Sequence, residues 1–93
     1  MSDDAAVEAT DERSGSATVD VLTYIAKSLV DHPDDVEVTP VEEEDELVLE
    51  LRVHPDDMGK VIGKRGRTAK AIRTMVKAAA TREGTSATVE IVE

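Results

Sequence analysis

Gly63-Lys64-Arg65-Gly66 breaks what is otherwise a helical pattern, and this break limits the fold more than any other stretch of the chain. Apolar Val61-Ile62 stands before it and a long amphipathic run stands after it, so the chain has to turn sharply between two helices. Glycine adopts positive φ and has no side chain to hold a bulky anion away, so a G-x-x-G turn lets its backbone come close to a phosphate chain. Lys64 and Arg65 add charge at the same point. A helix starting after Gly66 would aim its free N–H groups and positive dipole end at the same anion. The residues therefore predict a site for the backbone phosphates of a nucleic acid.

Whole-chain charge runs the other way, because 11 basic against 21 acidic residues leave a net −10, which repels nucleic acid. The distribution restores the argument. Residues 1–57 hold 18 Asp/Glu and 3 Lys/Arg, a net −15, whereas residues 58–93 hold 3 and 8, a net +5. All eight cations of the second part lie between Lys60 and Arg82 with no acid among them. A cationic helix alone would be a solvated face balancing an acidic body. Together with the glycine turn it reads as a binding surface.

A chain of 93 residues allows one small domain that buries about 60–65 % of its unfolded surface. The absence of cysteine excludes a disulfide framework, a thiolate nucleophile and a cysteine zinc site, and fits a reducing compartment. Residues 1–18 carry a net −4 and only Met1 and Val7 as sizeable apolar residues, so this segment is expected to be a disordered acidic tail. It contains no apolar run long enough for a signal peptide, and nowhere do about 18 apolar residues follow one another, so a cytoplasmic location without membrane contact is expected.

Val21, Leu22, Ile25, Ala26, Leu29 and Val30 recur at helical spacing over Val19 to His32, and Pro33 closes the run. Val36 and Val38 alternate with Glu37 and Thr39 as a short strand that Pro40 ends or confines to a sheet edge. The acidic run Glu42 to Glu46 is expected to be the loop that follows. Leu47, Leu49, Leu51 and Val53 alternate with Val48, Glu50, Arg52 and His54, the clearest strand, with a leucine face that needs helices against it. His54-Pro55-Asp56-Asp57 signals a helix start, with proline at the first position and two carboxylates at the positive dipole end. That helix runs through Met58, Val61 and Ile62 to Gly63.

The next helix runs from Gly66 or Arg67 to about Arg82, stopped by Gly84, with Ala69, Ile72, Met75, Val76 and Ala79 on one face and Lys70, Arg73 and Lys77 on another. Ala87, Val89 and Ile91 give a last strand, which the helical crossover returns parallel to the leucine-rich one. The order is α-β-β-α-α-β in an α+β domain over residues 19–93. Tyr24, Met58 and Met75 are expected to pack, and His32 and His54 to cap or face solvent.

Val61-Ile62-Gly63-Lys64-Arg65-Gly66 between two helices resembles the VIGxxG core of a KH domain, and the element order resembles the type II arrangement of bacteria. The run from His54 to Thr68 is similar to the small single-KH proteins of the KhpA family, over about residues 19–92. The resemblance implies a three-stranded mixed sheet against three helices and a groove for single-stranded RNA, whose G-x-x-G loop clamps about four backbone nucleotides. Carried onto this sequence, it puts Gly63, Lys64, Arg65 and Gly66 at the sugar-phosphate backbone with Lys60, Arg67 and Lys70 beside them. Val61, Ile62 and alternate residues of Leu47 to Val53 would line or support the base side, with Ile62 and Leu49 weighted toward packing. It also implies self-association, or pairing with a larger KH protein of the KhpB (Jag) type, and an RNA-chaperone or post-transcriptional role.

Other classes fit less well. With no Phe or Trp and a single Tyr, the chain lacks the stacking platforms of an RRM or a single-strand-binding OB fold. A P-loop fails twice, because only three residues separate Gly59 from Gly63 and Arg65 stands where a hydroxyl must hold magnesium. The carboxylates of Glu42 to Glu46 and of Asp56-Asp57 have no catalytic partner at a recognisable spacing, so neither an enzyme nor a cofactor or metal is expected. The competing reading is a protein-interaction module whose cationic helix docks an acidic partner, with RNA secondary.

Overall fold

The computed structural model describes residues 16–93, in the order α1 (Ser16–Leu29), β1 (Glu37–Glu43), β2 (Glu46–Arg52), α2 (Met58–Ile62), α3 (Arg67–Arg82) and β3 (Ala87–Ile91). The expected α-β-β-α-α-β order is present, and three helices cover a three-stranded sheet ordered β1-β2-β3. β1 and β2 are antiparallel, pairing Val38 with Leu51 and Pro40 with Leu49. β2 and β3 are parallel, pairing Leu49 with Val89.

Period-two alternation turns Leu47, Leu49 and Leu51 toward the helices, where they meet Leu22, Ala26 and Val30 of α1, Val61 of α2, and Ile72, Val76 and Ala80 of α3. Leu22, Leu49 and Leu51 have no exposed surface. Each such side chain contributes about 1.5–3 kcal/mol by leaving water.

Four expectations need correction. Helix α1 begins at Ser16, so residues 16–18, assigned above to the acidic tail, belong to the folded domain; residues 1–15 lie outside the described region. The reason is long-range, since the Thr18 hydroxyl donates to Glu83 Oε1 at 2.7 Å, its N–H donates to the same oxygen at 3.2 Å, and Thr18 is fully buried against the end of α3. The helix ends at Leu29, and Pro33–Asp35 forms a separate 3-10 turn.

Of the two alternatives at Pro40 the edge position holds: strand β1 continues through it to Glu43, because a proline at an edge can turn its missing donor outward, and what needs correction is the loop expected over Glu42 to Glu46. The acidic run therefore divides between two strand ends and a tight turn at Glu44-Asp45, with Glu44 at φ 52°. Tyr24 and Met75 do not pack: they are 74 % and 52 % exposed, on helix faces turned away from the sheet.

Candidate nucleic-acid interface

The position of the glycine loop is set by the anchoring of α2. Pro55–Asp57 forms a 3-10 turn before it, and His54 Nδ1 accepts the Asp56 N–H at 3.0 Å. Asp57 is buried, and its Oδ2 accepts both the His32 N–H and the His32 Nδ1–H at 2.9 Å, tying α2 to the segment after α1. The His32 and His54 rings stack with centroids 4.0 Å apart and planes 14° apart.

The hydrogen bond to Asp57 raises the His32 pKa above its ordinary value, against a smaller effect of burial, with further help from the nearby carboxylates. Burial alone would raise the Asp57 pKa, but hydrogen bonds from the His32 ring and from the Asp31 and His32 backbone together hold it below the usual carboxylate value. Neither the pairing nor the stacking was foreseen. The available signal was the repeated tetrapeptide His-Pro-Asp-Asp at 32–35 and 54–57, each copy forming a proline-led 3-10 turn.

From Gly63 the chain turns through three positive-φ residues. Gly63 closes α2 at φ 76°, ψ 173°, and its N–H donates to Gly59 C=O at 2.8 Å. Arg65 is left-handed at φ 57°, ψ 26°, and Gly66 at φ 74°, ψ 13° is the N-cap of α3. The Gly66 N–H donates to Gly63 C=O at 3.2 Å, which closes the turn. No side chain caps α3, and its first turn contains no acid. The first N–H of the helix, on Arg67, donates to Lys64 C=O, so it is the N–H groups after it, with the positive dipole end, that meet the loop without a counter-charge.

Lys64, Arg65, Arg67 and Lys70 are all exposed around this point, as are Arg73, Lys77 and Arg82 farther along α3. Lys60 is exposed too, but its Nζ lies 3.6 Å from Asp31 Oδ2, so its charge is shared with α1's following segment. Val61 is fully buried and cannot touch a ligand, whereas Ile62, weighted above toward packing, is 39 % exposed beside the loop. One residue of a helix rotates about 100°, so only one of the two can face the core. Leu49 and Leu51 are also sealed beneath the helices with no exposed surface, and Leu47 reaches the surface only near the β1–β2 turn, beside Glu46 and Thr85.

Residues 19–91 match the family model described as KhpA/KhpB, KH domain. The chain is 59 % identical over 73 residues to the RNA-binding protein KhpA of Clostridium perfringens, covering 78 % of this chain and 97 % of that one. It is 60 % identical over 72 residues to the RNA-binding protein KhpA of Clostridium acetobutylicum, covering 77 % and 96 %. Among solved structures, Era in complex with MgGDPNP and nucleotides 1506–1542 of 16S ribosomal RNA superposes with a TM-score of 0.62 at 18 % identity. That match covers 98 % of this chain and 35 % of Era, and speaks to the fold alone. A glycine-bracketed turn between two helices, on an α-β-β-α-α-β scaffold matched over nearly its whole folded length, identifies the chain as a member of the KhpA/KhpB KH-domain family.

Proposed function

We propose that this protein binds single-stranded RNA, gripping its backbone with the Gly63–Gly66 loop. The observation that carries the reading is the loop's geometry: Lys64 and Arg65 stand in solvent on a turn that delivers the uncapped, unneutralised start of α3. An anion there receives side-chain cations, backbone N–H groups and a helix dipole at once. Arg67 and Lys70 extend the track along α3, Lys60 flanks it less freely, and Ile62 offers an apolar contact for a base. Val61 acts from beneath as core. The relatives' name, RNA-binding protein, supports the ligand class, and nothing in the reading calls for catalysis or a cofactor.

A single groove relying on phosphate contacts gives dissociation constants of about 10⁻⁴ to 10⁻⁶ M at physiological salt, so a second site adds useful avidity. A homodimer, or a pair with a KhpB/Jag-like KH protein, would supply it. The exposed Met75, on a different side of α3 from Lys70 and Lys77, supports such an association surface, and the shared KhpA/KhpB family model is in keeping with it. The role that follows is an RNA chaperone or post-transcriptional regulator in the cytoplasm. Among the described residues no helix is long and apolar enough to cross a membrane.

The deciding experiment is titration of a short unstructured RNA into wild type and the double variant K64D/R65D, over a range of salt. Both side chains are exposed, so the variant should fold and lose binding, while wild-type affinity should fall steeply with salt. Unchanged affinity in the variant, or salt-independent binding by wild type, refutes the assignment.

A further inference from the structure

Arg73 lies two turns into α3, about 10 Å along the helix from Gly66. Its Nε donates to the Val89 carbonyl of β3 at 3.3 Å. That carbonyl belongs to the sheet's outer edge. Leu47 N–H donates to Ser86 C=O and Val92 N–H donates to Leu51 C=O, so the even-numbered residues of β3 bond β2, and the backbone groups of Val89 and Ile91 point away from it. Among the described residues the sheet ends there, with no further strand beside β3. An open cleft reaches from this edge across the sheet, lined by Arg73, by Thr88, Val89, Glu90 and Ile91 of β3, and by Val48 of β2 and Glu43 of β1.

A guanidinium has five N–H donors in a planar fork, and the bond to Val89 uses only the one on Nε. The bond directs the guanidinium along the β3 edge, leaving the terminal nitrogens to a ligand. The carboxylates of Glu43 and Glu90 in the same cleft disfavour a phosphate. A base edge meets both demands, because it is uncharged and brings acceptors for the fork and amino donors for Glu90.

We infer that Arg73, held by the Val89 carbonyl, is a base-selecting residue of the RNA groove, favouring a base with two adjacent acceptors, guanine or cytosine, over adenine or uracil. The inference rests on the RNA-binding reading above and adds selectivity to it. Adenine and uracil alternate donors and acceptors along their edges, so they cannot satisfy a fork of donors. Lysine keeps the charge but not the fork.

The test measures fluorescence anisotropy of labelled RNA octamers: all-uridine, and the same strand with its two central residues changed to guanosine, cytidine or adenosine. The proteins are wild type, R73K, R73M and the loop variant K64D/R65D, with thermal unfolding as a check on folding. Wild type should bind the guanosine or the cytidine octamer about tenfold more tightly than the adenosine one, the scale of one bidentate contact. R73K should erase that preference while its salt slope and its affinity for the all-uridine strand stay near wild type. Comparing guanosine with cytidine shows which base the cleft takes.

A preference that survives both R73K and R73M, or its absence in wild type, overturns the role of Arg73. So does an equal loss on all four octamers with a salt slope lowered by about one, the mark of a phosphate contact. Failure of wild type to bind any octamer refutes the RNA reading itself, a separate result from failure of the selectivity.

Discussion

Two glycines bracket the loop, and they should fail in different ways when replaced by alanine. At Gly63 a Cβ would lie 2.6 Å from Thr68 Cβ and 2.9 Å from Thr68 N, with Thr68 Oγ1 closer still. Thr68 is in the first turn of α3, so a rotamer change cannot clear its backbone nitrogen; the loop or the helix start must move. The conformation, φ 76° with ψ 173°, is nearly exclusive to glycine and by itself costs about 1–3 kcal/mol for other residues. At Gly66 nothing lies within 4 Å of the added carbon. The cost there is left-handed strain of about 1–2 kcal/mol, part of it returned by a stiffer unfolded chain, about 0.4–1 kcal/mol.

Gly66→Ala should therefore fold with a loss of about 1 kcal/mol or less, and Gly63→Ala should lose at least about twice that. Urea unfolding followed by circular dichroism measures both. RNA affinity should fall in both, in Gly66→Ala with little unfolding, because its methyl occupies the space open to a phosphate; one displaced charge-assisted hydrogen bond corresponds to about tenfold or more. Adding Thr68→Ala to Gly63→Ala should restore stability only in part, since the Cβ and backbone nitrogen of residue 68 remain. Equal stability losses at the two glycines, or full rescue by Thr68→Ala, would refute the steric argument.

Thr18→Val, which keeps the shape and removes the hydroxyl bond to Glu83, should lower stability by about 1–2 kcal/mol in thermal unfolding; a neutral result would show that the start of α1 is not held by that bond. The His32–Asp57 pair predicts a pH window. The folded pKa of His32 is raised above 6.5, so its contribution is complete below 6.5 and is lost as pH rises through the raised value. The folded pKa of Asp57 is lowered below 3.8, so its contribution is complete above 3.8 and is lost as pH falls through the lowered value. The stability gap between wild type and Asp57→Asn, from urea midpoints, should be widest between pH 3.8 and 6.5 and narrower on both sides; a gap independent of pH would show that the pair acts only as packing.

The element order was legible because the two hydrophobic periods are clean: alternation over Leu47 to Val53 and Ala87 to Ile91, helical spacing from Leu22 to Val30 and from Ala69 to Ala80. Local pattern failed where a distant residue decides. Ser16-Ala17-Thr18 has no apolar signature, and Thr18 enters the fold through Glu83, 65 residues away. Asp57 reads as an ordinary helix-start carboxylate, yet its place is set by His32, 25 residues away. Val61 and Ile62 are alike as residue types in a helix too short to show a periodic face, so the sequence could name both but not say which is buried. The glycine loop was legible because its chemistry is local. The cleft at the edge of β3 was not, because it joins α3 to a strand that follows it by a whole turn and loop.

The described backbone departs from ordinary residue preferences chiefly in one place. Glu44 has positive φ, but it sits in a tight turn between antiparallel strands, where such angles are the usual solution. Arg65 has no such excuse: it is a left-handed non-glycine residue between two glycines that could have supplied the turn. Beside it, Arg67 places a cation at the positive end of α3, with no acid in the first turn to offset it. Each feature opposes folding by a fraction of a kcal/mol to about 2 kcal/mol, and neither improves the packing of the core. Local rules broken together in one exposed turn are what a binding site leaves in a fold that otherwise obeys them. A polyanionic backbone bound there, as proposed above, would turn both costs into gains: it would neutralise the helix end, meet Arg67, and give the strained Arg65 a partner.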